Sequence, residues 1–138
     1  MTIRHTELFL VRHGQTDSNV ARLFDGATDT PLNQLGLRQA ALVAGRISTL
    51  RDLLSLYSSP LQRALVTARA ISRSTGLEPV IEAGLREMNF GVAESHAMEA
   101  IIERWPELAA QMQDPNGRDV RFPGGESRRE FHTRVRTT

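Results

Sequence analysis

The chain has 138 residues, 40% of them hydrophobic and 24% charged, and a formal net charge of +1. That is the composition of a globular domain, and it excludes collagen-like, coiled-coil and highly charged disordered chains. Cysteine is absent, which excludes disulfides and thiolate metal sites and suits a cytoplasmic location. No apolar run approaches the roughly 20 residues of a membrane span, and the polar residues 1–7 carry no secretory signal.

Every basic residue is arginine. Arginine is the better bidentate partner for phosphate. Residues 118–138 hold six Arg against three acids. This excess reads as a solvated helix face; a nucleic-acid surface would interleave aromatics or carry a binding motif, and neither is evident.

The elements follow in chain order. Leu8-Phe9-Leu10-Val11 is wholly apolar and reads as a buried parallel strand. Residues 12–32, rich in Gly, Asp, Asn and Thr, read as a long functional loop. From Asn33 the spacing of Leu37, Ala40, Ala41, Ala44, Ile47 and Leu50 predicts a helix with one apolar stripe. Residues 53–57 read as a second strand. Ser59-Pro60 opens another helix, with Ser as N-cap and Pro at the first helical position. Its apolar face is Leu61, Ala64, Leu65, Ala68 and Ile71, and Gly76 ends it. Pro79-Val80-Ile81 is a weak third strand.

A helical stretch follows from about Ala97, with Met98, Ile101, Ile102, Trp105, Leu108, Ala109 and Met112 on one face and a break at Pro106. Residues 114–125 read as a turn-rich loop. Ser127 and Glu130 form a capping box that starts a last helix, whose apolar side is Phe131 and Val135. Strands alternating with helices argue an α/β fold, a mostly parallel sheet flanked by helices. Three strands are few, and the last helix leads to no strand. The pattern therefore predicts one domain over residues 1–138 that is incomplete at its C-terminus.

Three positions carry candidate chemistry. Arg12-His13-Gly14 follows the first strand, where open α/β sheets bind ligands, and suits an anionic substrate. Arg63 lies in the first turn of the helix after the second strand, where helix N-termini attract anions. Glu87 follows the third strand, and a carboxyl group beside a phosphate site can act as a general acid. Taken singly, each has an ordinary alternative: a surface histidine, a solvated arginine, a Glu–Arg ion pair.

Together the motifs are specific. Arg12-His13-Gly14-x-Thr16-x-x-Asn19, Asp29-x-Pro31-Leu32-x-x-x-Gly36, Ser58-Ser59-Pro60-x-x-Arg63-Ala64-x-x-Thr67-Ala68, Leu85-Arg86-Glu87-x-x-Phe90-Gly91 and Pro123-Gly124-Gly125-Glu126-Ser127 occur in one order. This resembles the histidine phosphatase superfamily, also called phosphoglycerate mutase-like, from about residue 7 to residue 138. The resemblance implies a phosphate-monoester hydrolase in which His13 becomes a phosphohistidine. Arg12 and Arg63 would hold the phosphoryl oxygens, Asn19 and the Gly26 backbone would assist at the substrate, and Glu87 would protonate the leaving oxygen. The expected partner is a small phosphorylated metabolite, with no nucleic acid or membrane. No metal or other cofactor is implied.

The family's second histidine, in a His-Gly motif after a later strand, has no counterpart here. His132 lies inside the last helix, and His5 and His96 read as surface residues. The resemblance thus also implies an N-terminal portion of a longer domain. Phosphoglycerate mutase-type transfer remains the nearest alternative. The compact segment from Glu87 to Pro123 favours a phosphatase, because the cofactor-dependent mutases have a longer insertion there. A non-catalytic phosphate-binding module or an inactive fragment is the alternative of another class. Two positions depart from the family pattern: Ala27 follows Gly26, and Phe90-Gly91-Val92-Ala93-Glu94-Ser95 stands where many phosphatases have Phe-Gly-x-Trp-Glu-Gly. Both shrink side chains near the expected pocket mouth, which bears on the identity of the substrate and not on the core chemistry.

Overall fold

The computed structural model describes residues 6–114 and 119–138; His5 and part of the loop after Asp114 lie outside them. The elements are α1 (Asp17–Val20), α2 (Gln34–Ile47), β1 (Leu56–Ser58), α3 (Gln62–Thr75), β2 (Pro79–Ile81), α4 (Met98–Arg104), α5 (Pro106–Gln113) and α6 (Arg128–Arg136). Strands β1 and β2 pair in parallel, Leu56 against Pro79 and Ser58 against Ile81, with α3 as the crossover.

Helices α2 and α3 pack through small side chains. Ala40 and Ala44 meet Ala70 and Ile71, which lets the backbones approach closely enough for Ser74 to donate its hydroxyl to the Ala44 carbonyl at 3.1 Å. Asn33 caps α2 by accepting the Gly36 N–H at 2.9 Å. Gly76, at φ 78°, ends α3 in the left-handed conformation that its lack of a Cβ allows. A second cluster joins Met88, Ala93, Ile101, Leu108, Ala109, Val120 and Phe122. Phe90 stands edge-on to Phe24 and Phe122, at 5.3 and 5.1 Å between ring centres, so the loop after α1 is tied to this cluster. The capping box at Ser127 and Glu130 is formed, and Pro106 opens α5 after a break at Trp105.

Four expectations change. Residues 8–11 form no strand among the described residues, and Leu8 and Leu10 are 77% and 88% exposed. A strand is held by ladder hydrogen bonds and covered faces, and this run has neither here. The second strand begins at Leu56 rather than residue 53, leaving Leu54 exposed. Leu37, Ala41 and Ile102 are exposed as well, because only part of each predicted apolar stripe meets a packed neighbour. Helix α3 begins at Gln62, with Ser59 and Pro60 outside it. Its cap comes from a distant loop: the Asp29 carboxylate accepts the Gln62 N–H at 2.6 Å. Among the described residues no helix is long and apolar enough to cross a membrane.

Candidate active site

Residues 12–19 are pinned on both sides. The Gly14 N–H donates to the Thr67 hydroxyl at 3.3 Å, and that hydroxyl donates to the Arg63 carbonyl at 2.9 Å. The Gly14 and Gly36 backbones touch, so a Cβ on either would strike backbone. Thr16 and Asn19 cap each other, each side chain accepting the other's N–H.

His13 is half-buried and its Nδ1 lies 2.7 Å from the Gly14 carbonyl. A carbonyl only accepts, so Nδ1 carries the proton and Nε2 carries the lone pair. Burial lowers the His13 pKa, and the charges of Arg63 and Arg12 lower it further. The Gly14 carbonyl and Asp25 oppose them. The ring is therefore neutral at neutral pH and suited to attack an electrophile. Arg12, His13 and Asn19 line a cleft of about 380 Å³. Because a lowered pKa extends the neutral form to more acid solution, an NMR titration of the ring protons is expected to give a His13 midpoint below 6.5. A reaction that needs the neutral ring should fall away as His13 protonates, on the acid side of 6.5.

Arg63 is 2% exposed. Its Nη1 donates to the Thr28 carbonyl at 2.7 Å. Its Nη2 donates to the Gly26 carbonyl at 2.7 Å and the Asp25 carbonyl at 3.2 Å. The Asp25 carboxylate lies 3.9 Å from Nη1 and accepts the Thr30 hydroxyl at 2.9 Å through Oδ1. Its Oδ2 is buried and makes no hydrogen bond among the described residues.

The other predicted residues are placed differently. The Gly26 N–H donates to Glu94 and its carbonyl accepts from Arg63. Both backbone groups expected to assist a substrate are thus engaged within the protein. Glu87 is exposed, and its carboxylate accepts the N–H of Met88 at 2.8 Å. No described hydrogen bond joins it to His13. Ala93 is fully buried in the second cluster and does not line a pocket mouth. His132 is exposed on α6. His96 is half-buried rather than a free surface residue: Nδ1 donates to the Glu94 carbonyl at 2.8 Å and Nε2 accepts from Arg104 at 2.9 Å.

Sequence reading missed Asp25, Thr28 and Thr67 as parts of the site, and it missed the grip of Glu94. Glu94 accepts from the N–H groups of Gly26, Ala27, Thr28 and Phe90 and from the Thr28 hydroxyl. These bonds hold its carboxyl below the usual range although burial opposes them. No local pattern announces a contact made across 66 residues.

The chain is similar in sequence and fold to known proteins. A Yersinia pestis protein named "Probable phosphoglycerate mutase GpmB" is 38% identical over 94% of this chain and 59% of its own length. The chain therefore spans about three fifths of the curated relatives it matches. A mycobacterial glucosyl-3-phosphoglycerate phosphatase, solved with VO3, superposes with a TM-score of 0.78 at 34% identity, covering 91% of this chain and 58% of that one. The alpha-ribazole phosphatase from Shigella flexneri gives 0.79 at 29% identity, covering 92% and 62%. A family model for branch 1 of the histidine phosphatase superfamily matches residues 8–138, and the chain belongs to that superfamily.

Proposed function

We propose that the protein hydrolyses the phosphate monoester of a small cytoplasmic metabolite through a phosphohistidine on His13. The observation that carries this reading is the neutral His13 ring, with its proton fixed on Nδ1 by the Gly14 carbonyl. Nε2 attacks phosphorus and the bond to the leaving oxygen breaks. Arg12 and Arg63 offset charge on the phosphoryl oxygens, where such stabilisation helps most. Asn19 assists from the rim of the cleft, and Glu87 gives its proton to the leaving oxygen. Water then attacks phosphorus and gives a proton back to Glu87, the bond from Nε2 to phosphorus breaks, and phosphate leaves with His13 restored. That a mycobacterial phosphatase similar to this chain was solved in complex with VO3 supports a phosphoryl-binding reading.

Transfer to a second substrate in place of water is the competing reading, favoured by the mutase name of the Yersinia relative. The test is to trap the phosphoenzyme from p-nitrophenyl phosphate. An acid-labile phosphoenzyme is expected in the wild type and none in His13→Ala. Labelling that survives the substitution would overturn the reading. Passage of phosphate from a bisphosphate donor to phosphoglycerate, without loss to water, would favour the mutase.

A further inference from the structure

Two peptide groups stand between opposite charges. In the Asp25–Gly26 peptide the carbonyl accepts from Arg63 and the N–H donates to Glu94, at 3.2 and 3.1 Å. In the Gly26–Ala27 peptide the corresponding distances are 2.7 and 2.9 Å. Thr28 adds a third link, with its N–H and hydroxyl on Glu94 and its carbonyl on Arg63. Each peptide carries a dipole of about 3.5 D whose positive end is the N–H. Both bridging peptides therefore point their positive ends at the carboxylate and their negative ends at the guanidinium. Hydrogen bonds arranged this way polarise and strengthen one another.

The donors around Glu94 match a carboxylate and nothing else. Five N–H or O–H groups converge on its two oxygens. An ionised carboxylate is acceptor-only and can take all five, whereas an amide would turn its NH2 against one set of donors. Successive N–H groups of this kind form an anion nest, and here the protein's own side chain fills it. The bridged loop also fixes Arg63, since its three carbonyls take three of the guanidinium's N–H donors.

We infer that Glu94 is a positioning residue of the phosphate site: through the peptides of residues 25–28 it sets the orientation of the Arg63 guanidinium. This rests on the reading of Arg63 as a phosphate ligand. The experiment measures orthovanadate affinity and p-nitrophenyl phosphate kinetics for Glu94→Gln, Arg63→Met and the double variant in the full chain, with folding checked by thermal melts. Glu94→Gln is expected to weaken vanadate binding roughly 10- to 100-fold, the scale that a small misplacement of a binding group produces. The double variant should bind no more weakly than Arg63→Met alone, because both changes remove one interaction. Thr28→Val, which removes one of the five donors, should have a smaller effect in the same direction.

A folded Glu94→Gln with affinity within about two-fold of wild type would overturn the proposal, as would full additivity in the double variant. If Glu94→Gln does not fold, Glu94→Asp keeps the charge with a shorter reach. Reduced affinity in that variant supports the proposal, and wild-type affinity overturns it. If Arg63→Met binds vanadate as the wild type does, the reading of Arg63 itself falls and takes the proposal with it.

Discussion

Replacing Arg63 with methionine is expected to remove most phosphate turnover and much of the fold's stability in one step. Methionine fills a similar length and supplies no donor. The carbonyls of Asp25, Gly26 and Thr28 lose their partner, and the Asp25 carboxylate stays buried without its nearby cation. Removing one member of a buried pair typically costs about 3–5 kcal/mol. Arg63 and Asp25 side chains are 3% and 4% exposed, so solvent screening does little to soften the loss. Loss of one phosphoryl-stabilising group lowers turnover by roughly 10²–10³-fold. Calorimetry beside p-nitrophenyl phosphate kinetics checks both effects. Arg63→Lys separates them. It restores a buried cation and part of the stability, but an ammonium lacks the planar fork that serves carbonyls and phosphate together. A lysine variant with wild-type turnover would show that charge alone is what the site requires.

Replacing Arg134 with methionine is expected to loosen the segment that carries Glu87. Arg134 grips Glu126 with Nε and Nη2, both at 2.8 Å. It also donates to the carbonyls of Gly84, Arg86 and Glu87, at 2.9, 3.1 and 3.4 Å. Glu126 in turn accepts the Asn89 N–H at 2.9 Å. The two side chains are about a quarter exposed, and hydrogen bonds to charged groups contribute about 1.5–3 kcal/mol. Urea titration should show a loss of about 2 kcal/mol. Hydrogen exchange should rise first in residues 84–89.

The pair also gives an acid limb to stability. Arg134 holds the Glu126 carboxyl below its ordinary 4.5. A lowered carboxyl pKa gives stability that is complete above 4.5 and is lost as pH falls through the lower folded value. That acid-side loss should be smaller in Arg134→Met. Unchanged exchange in residues 84–89 would mean that Glu87 is held by the packing of Met88 instead.

Local features were legible in the sequence, and distant ones were not. Gly76, Pro106 and the Ser127–Glu130 box act on groups within a turn of themselves, so the residue types alone announce their roles. His13, Arg12 and Arg63 stood out as candidates because they follow a shared order of motifs, and the structure lines the cleft with the first two. The start of α3 was misplaced because Asp29, which caps it, lies 33 residues upstream. The run at residues 8–11 has the composition of a covered strand, and composition says nothing about whether a neighbour is present to pair with it. Glu94 shows the same limit within the site. Its residue type is ordinary, and four of its five donors, three amides and the Thr28 hydroxyl, come from residues 26–28 far along the chain.

The loop at residues 25–28 supports the buried Arg63 cation with three backbone carbonyls. That duty restricts how the protein can diversify. Drift in those backbone positions disturbs Arg63 directly, and at Gly26 even one added methyl strikes the Met88 carbonyl. New substrate preferences are therefore open mainly to side chains that reach the cleft without holding the loop, such as Gln15, Asn19 and Gln39. In a family tree this chain's descendants should vary at those positions while Gly26, Arg63 and Glu94 stay nearly still.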